Sequence, residues 1–93
     1  MPIHILAKNF EQYQVFRQQL AQAMTEEGIP FRYSDFIFIN GPDSLRGFEK
    51  PWGYKVGSWS DNTWSDRHDI DRILQEIAVR GSSIETDFIQ VSL

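Results

Sequence analysis

The first part of the chain carries a strand pattern followed by a helix pattern. Residues 3–8, IHILAK, alternate in the manner of a strand with one well-buried face, and this places His4 on the less buried face. Asn9 is a good N-cap for a helix, and apolar side chains then recur at three- and four-residue steps as far as Gly28. The spacing therefore predicts a helix from about residue 10 to residue 27.

After the first helix the pattern predicts one further strand, then a second strand–helix pair and a final strand. The aromatic and β-branched run 36–39 predicts a second strand, and residues 54–59 predict a third. The next segment, capped at residue 65 or 66 and ended by Gly81, has the apolar spacing of a helix with a single buried face. Residues 84–93 predict the last strand.

The element order β-α-β-β-α-β predicts an α+β fold of the ferredoxin-like, split β-α-β type. In that sandwich a four-stranded antiparallel sheet carries both helices on one face. The length fits a single domain over residues 1–93. The second strand would form an apolar edge, and such edges are usually paired or covered. We therefore expect a homodimer formed through that strand or through the helix-free face, or cover by the loop that follows.

The stretch Gly41–Trp64 is the most unusual part of the sequence, since it holds all three tryptophans and four of the six glycines. Within it the connection Gly41–Gly53 has thirteen residues, whereas hairpin loops usually have about two to five. Long ordered loops often carry function. The alternative interpretation is that Leu45, Phe48 and Trp52 only fold the loop back onto the exposed face of the sheet.

Charge and composition exclude several classes of function. The net charge is −4, and residues 57–93 carry seven acids against three bases. Such a chain is repelled by nucleic-acid phosphates and by anionic membranes, so direct binding to either is disfavoured. The sequence contains no cysteine and no apolar run long enough to span a membrane. A cytoplasmic location is the expectation.

Candidates for catalysis or metal binding are weak. His68 shares a helix face with Asp71, but acidic residues at a helix N-terminus explain this pattern without a metal. His4 has no visible acidic partner in the sequence. Motifs for phosphate loops, dinucleotide binding and nucleophilic serine or cysteine are all missing. The expectation is therefore no enzymatic activity, no cofactor and no metal.

These observations favour a non-enzymatic, acidic protein-binding module, an inhibitor or modulator that engages a basic and possibly nucleic-acid-handling partner. Its sharpest form is a nucleic-acid mimic. The alternative is a small-molecule-binding or enzymatic dimeric α+β barrel, with His4 or His68 as the acid–base group. The predicted partner-binding residues combine aromatic and arginine anchors with surface acids. They are Arg46, Phe48, Trp52, Tyr54, Trp59, Trp64, Asp61, Asp66, Asp69, Asp71, Glu85 and Asp87.

Overall fold

The secondary structure agrees with the predicted order of elements. The structure, a computed structural model, describes residues 2–57 and 69–92. The strands are β1 Ile3–Leu6, β2 Phe36–Phe38, β3 Gly53–Val56 and β4 Phe88–Val91. The helices are α1 Phe10–Glu26 and α2 Ile70–Val79, with short 3₁₀ helices at Tyr33–Asp35 and Pro42–Leu45. The strands are shorter than predicted, and Trp59 lies outside the described residues.

The predicted antiparallel sheet is wrong. The four strands lie in the order β2-β1-β3-β4, and every neighbouring pair is parallel. This arrangement contradicts the ferredoxin-like sandwich. The prediction that β2 is an edge strand is confirmed.

The connection between β2 and β3 explains the difference. β2 and β3 are parallel and lie on either side of β1. Strands that run in the same direction need a crossover of about a dozen residues, whereas antiparallel neighbours need only a tight turn. Residues 39–52 form such a crossover: Ile39 and Leu45 are completely buried, and Leu45 packs in one core with Ile73 of α2. Of the three residues in the alternative interpretation, Leu45 does pack onto the sheet, but on a face that α2 covers, while Trp52 stays 36% exposed.

In the part of the chain that the structure describes, each face of the sheet carries one helix. Successive residues of a strand point to opposite faces, and in β1 Ile5 packs with Phe16 of α1 while Leu6 packs with Ile73 and Ile77 of α2. We call these the α1 face and the α2 face. The crossovers β1-α1-β2 and β3-α2-β4 move in opposite directions along the sheet, so right-handed connections place their helices on opposite faces.

Burial on both faces accounts for the apolar character of β1. Its four residues are all buried, as expected for a central parallel strand covered on both sides. His4 is one of these residues, with 1% of its surface exposed. The prediction that it lies on a less buried face is therefore wrong. Among the described helices, none is long and apolar enough to cross a membrane.

Candidate protein-binding groove

A largely apolar groove lies on the α1 face, at the edge of the sheet where the strands begin. We call this edge the N-terminal edge and the opposite one the C-terminal edge. The groove has a volume of about 410 Å³. It is lined by Ile3, Leu20, Met24, Ile29, Pro30, Phe31, Asp35, Trp52 and Tyr54. We call it the Trp52 groove.

The C-terminus of α1 forms one wall. Gly28 adopts a positive φ of 71° just after the helix. Its N–H donates to the Thr25 carbonyl at 3.1 Å, and the N–H of Ile29 donates to the Met24 carbonyl at 2.8 Å. This pair of bonds is a Schellman motif, which characteristically brings an apolar residue after the glycine against the last turn of the helix. Ile29 and Met24 accordingly line the same wall.

The start of β3 forms the floor. Trp52 and Tyr54 occupy alternate positions and therefore share a face, and the Tyr54 ring lies 5.2 Å from the ring of Phe16. Between them, Gly53 touches β1 so closely that a Cβ would lie 1.8 Å from the His4 carbonyl oxygen. The His4 N–H also donates to the Trp52 carbonyl at 2.9 Å. These contacts hold the Trp52 backbone against β1.

Acidic residues border this apolar surface. Asp35 lines the groove, and the backbone N–H of Arg32 donates to its carboxylate at 3.0 Å. That hydrogen bond is the main cause that lowers the pKa of Asp35, so the group is negatively charged at neutral pH. The backbone carbonyl of Asp87 accepts from Gly53 N–H, directly beside Trp52. Glu26 and Glu27 are exposed in the turn that leads to Ile29.

The structure brings four of the predicted partner-binding residues to the N-terminal edge of the sheet. Trp52 and Tyr54 line the groove, while Glu85 and Asp87 lie exposed in the turn that precedes β4. The Asp87 carboxylate accepts from the Ser83 N–H at 2.7 Å. Two aromatic and two acidic residues of the prediction therefore lie at the same edge of the sheet.

The remaining predicted residues that the structure describes lie elsewhere. Phe48 is on the α2 face, where its ring stands edge-on to His4 with centroids 4.7 Å apart. Arg46 is exposed and faces Asp43 at 3.5 Å. Asp69 and Asp71 lie at the start of α2, at the C-terminal edge. Outside the described residues are Trp59, Trp64, Asp61, Asp66 and His68.

Sequence reasoning missed the apolar wall of the groove. Leu20 and Met24 belong to the apolar stripe of α1, and such a stripe is normally assigned to the core. The sequence did contain one indication of this wall, the Gly28-Ile29 pair after the helix. A glycine at this position favours a Schellman motif, which predicts a contact between Ile29 and Met24.

His4 is closed to any substrate. Both ring nitrogens are buried, without a hydrogen-bond partner among the described residues. Burial lowers the pKa of His4, and the neighbouring Trp52 backbone offsets part of this effect. The imidazole is therefore neutral and enclosed at neutral pH, which makes it a poor acid–base group.

A second place where ligands bind such sheets is the crevice at the C-terminal edge between β1 and β3. There the two crossovers leave in opposite directions, and open parallel sheets commonly hold ligands at that point. Lys8 and Asn9 follow β1, and the side chain of Gln12 approaches Gly57 at the end of β3. Residues 58–68, which follow directly, lie outside the described chain.

Within residues 2–57 and 69–92, no cluster of three or more His, Asp or Glu side chains is arranged to hold a metal ion. Comparison with known protein families, with curated proteins and with solved structures found no match.

Proposed function

We propose that the protein is a non-enzymatic binding module that holds a basic segment of a partner protein in the Trp52 groove. The observation that carries this proposal is the meeting of two predicted aromatic anchors, Trp52 and Tyr54, with an apolar wall and an acidic border. Interface hot spots have this composition: an aromatic side chain in an apolar setting, surrounded by polar groups that exclude water.

Exposure supports the role of Trp52 as the main anchor. Trp52 is 36% exposed and Ile29 is 48% exposed, so a partner that covers the groove removes a large apolar area from water. Burial of apolar area contributes about 25 cal/mol per Å². Tyr54 is only half-buried behind them and extends the same surface along the sheet.

Charge indicates the partner's chemistry. Asp35 lines the groove, the backbone of Asp87 bonds to Gly53 beside Trp52, and the whole chain has a net charge of −4. A partner segment with lysine or arginine beside its apolar residues is attracted to this surface. Complementary charge mainly raises the association rate and selects among partners, and salt screens the effect.

The distribution of acidic residues favours a short basic segment as the binding partner over the whole cleft of a nucleic-acid-binding protein. A nucleic-acid mimic presents its carboxylates as one extended row. Among the described acids, Glu85 and Asp87 lie at the N-terminal edge, whereas Asp69 and Asp71 lie at the C-terminal edge. We therefore propose a modulator that occupies a basic peptide segment of its partner in the cytoplasm.

The experiment that tests this proposal is capture of partners by the tagged full chain at low and at high salt, followed by affinity measurement with the purified partner. Trp52→Ala is the test variant. Phe10→Ala is the matched control, because Phe10 is an exposed aromatic residue at the opposite end of α1. We expect Trp52→Ala to weaken binding at least tenfold, as for an interface hot spot.

Binding that is equal in wild type and Trp52→Ala would remove the proposal. Equal loss in Trp52→Ala and Phe10→Ala would show that the contact lies elsewhere. An affinity that does not change with salt would contradict the basic nature of the partner.

A second candidate function is small-molecule binding at the C-terminal edge, which the crossing point between β1 and β3 favours. Its test is an NMR titration with nucleotides and other phosphate-bearing metabolites. Selective shifts of the Lys8, Asn9 and Gly41 amides would support this function. Shifts confined to the Trp52 groove would support the protein-binding module instead.

A further inference from the structure

The α1 face is only partly covered by the described chain. Among residues 2–57 and 69–92, α1 is the helix that packs on this face, and it lies across β2 and β3. β4 is different on its two sides: Phe88 is buried on the α2 face, whereas Ile89 on the α1 face is 56% exposed. Parallel sheets are normally covered on both faces. Within residues 2–57 and 69–92, no second helix covers the part of the α1 face over β4.

The open area is continuous with the Trp52 groove. Ile89 pairs with Tyr54 in the register of β3 and β4, so the two side chains lie next to each other on the same face. Val91, farther along β4, packs partly against the α1 core. The apolar surface thus begins at Trp52, passes Tyr54 and extends over β4.

The dimensions of this surface suit a helix. Helices pack with their axes about 8–10 Å apart, and two strand spacings of about 4.8 Å give a similar distance. Since α1 is centred over β1, a second helix beside it lies over β4. This second helix would contact Leu20 and Met24 of α1 on one side. Beneath it would lie Trp52, Tyr54 and Ile89.

We propose that the occupant of this surface is an amphipathic, basic α-helix of the partner protein, which packs beside α1 on the part of the α1 face that the described residues leave exposed. This inference rests on the proposed function and specifies its ligand. The basic residues of the helix lie at the end that meets Asp35 and Asp87, because both acids are at the N-terminal edge of the sheet.

Two other occupants fit the surface less well. An extended segment added to the edge of β4 would form main-chain hydrogen bonds there but leave Trp52 and Met24 uncovered. A second copy of the chain would bring another acidic border, with its own net charge of −4, against the first. A basic helix covers the apolar surface and complements the charge.

The test uses the full isotope-labelled chain and two synthetic peptides of equal composition, each about as long as the 17 residues of α1. In one peptide leucines recur at three- and four-residue steps with lysines on the other face. In the other peptide leucine and lysine alternate, which favours a strand. We expect the helical peptide to shift the Leu20, Trp52, Tyr54 and Ile89 amides and to be helical when bound.

Two variants locate the bound helix. Ile89→Glu places a charge on β4 outside the groove, and Val79→Glu is the matched control at an exposed apolar residue of α2. We expect Ile89→Glu to weaken binding of the helical peptide about tenfold, as for an interface contact, and Val79→Glu to leave it unchanged.

The outcomes separate this inference from the proposed function. If the alternating peptide binds the groove as tightly, or if Ile89→Glu has no effect while Trp52→Ala does, the helix inference is wrong and the binding module remains. If neither peptide shifts the groove amides, both proposals fall. If the groove amides shift with protein concentration alone, the occupant is a second copy, and both are again overturned.

Discussion

The two faces of the sheet differ in how completely the chain covers them. On the α2 face, the crossover and α2 enclose Leu6, Leu45, Ile73 and Ile77, all nearly inaccessible to solvent. On the α1 face, burial is just as complete under the helix but ends at Tyr54, and Ile89 beyond it is exposed. The described residues cover the first face as a continuous core, whereas they leave part of the second face exposed to solvent. Variants on each face should therefore affect different properties.

The largest loss of stability should come from a substitution at Gly53, where β3 touches β1 in the centre of the sheet. Gly53→Ala adds a Cβ that would lie 1.8 Å from the His4 carbonyl oxygen, so β1 and β3 must separate. We expect a loss of at least about 3 kcal/mol in the free energy of unfolding, at the upper end for overpacking. Denaturant titration measures this loss.

The matched control for Gly53→Ala is Gly41→Ala. A Cβ at Gly41 would meet Asp69 at an ordinary distance of 3.9 Å, so this variant should keep nearly all its stability. If both variants were equally stable, the close approach of the two strands would be refuted.

The next largest effect tests the enclosed face. Leu45→Ala removes a fully buried side chain that packs under α2, and such truncations cost about 2–5 kcal/mol. Denaturant titration with circular dichroism detection measures the cost. A loss below about 1 kcal/mol would mean that residues 39–52 are a dispensable loop instead of part of the core.

A smaller effect should appear as a pH dependence that originates on the α2 face. Because the pKa of His4 is lowered in the folded state, the unfolded chain binds more protons below the ordinary histidine pKa of about 6.5. The stabilisation is thus fully present above about pH 6.5, and it is lost as the pH falls through the window below that value.

Denaturant midpoints measured across this pH range in wild type and His4→Phe test the assignment. The variant should lose most of the dependence that wild type shows in this window. An identical pH profile for the two proteins would place the titrating group elsewhere, with His68 as the next candidate.

The smallest effect on stability is expected on the open side of the α1 face. Ile89→Ser removes an apolar side chain that is more than half exposed, so the free energy of unfolding should change by no more than about 0.5 kcal/mol. The same variant should impair binding of a helical partner. A loss comparable to that of Leu45→Ala would show that Ile89 belongs to the core.

Local sequence patterns predict the elements of this fold well and their directions poorly. The helix predicted from about residue 10 to residue 27 corresponds to Phe10–Glu26, because capping and apolar spacing act within a few turns of chain. The order β-α-β-β-α-β is compatible with both parallel and antiparallel sheets. Direction depends on residues 39–52, whose irregular path is stabilised by burial of Leu45 and not by local propensity.

In the candidate site, too, some residues could be predicted from the sequence and others could not. Trp52 and Tyr54 were predicted because unusual residue types in an unusual stretch are visible in a sequence. Ile29 and Ile89 were not predicted as binding residues, because their exposure depends on which strands lie next to each other. The thirteen-residue connection carried the necessary signal, since its length suits a parallel crossover better than a hairpin.

The central position of β1 has a consequence for how the chain reaches its native state. β1 lies near the start of the sequence but pairs with β3, about fifty residues later. Contacts between such distant segments form slowly, since the intervening chain must first be closed into a large loop. During synthesis, β1 stays without one of its two neighbours until residues 53–56 have emerged. For that period its apolar side chains and its unpaired edge are available to other chains, and the nascent protein is at its most aggregation-prone.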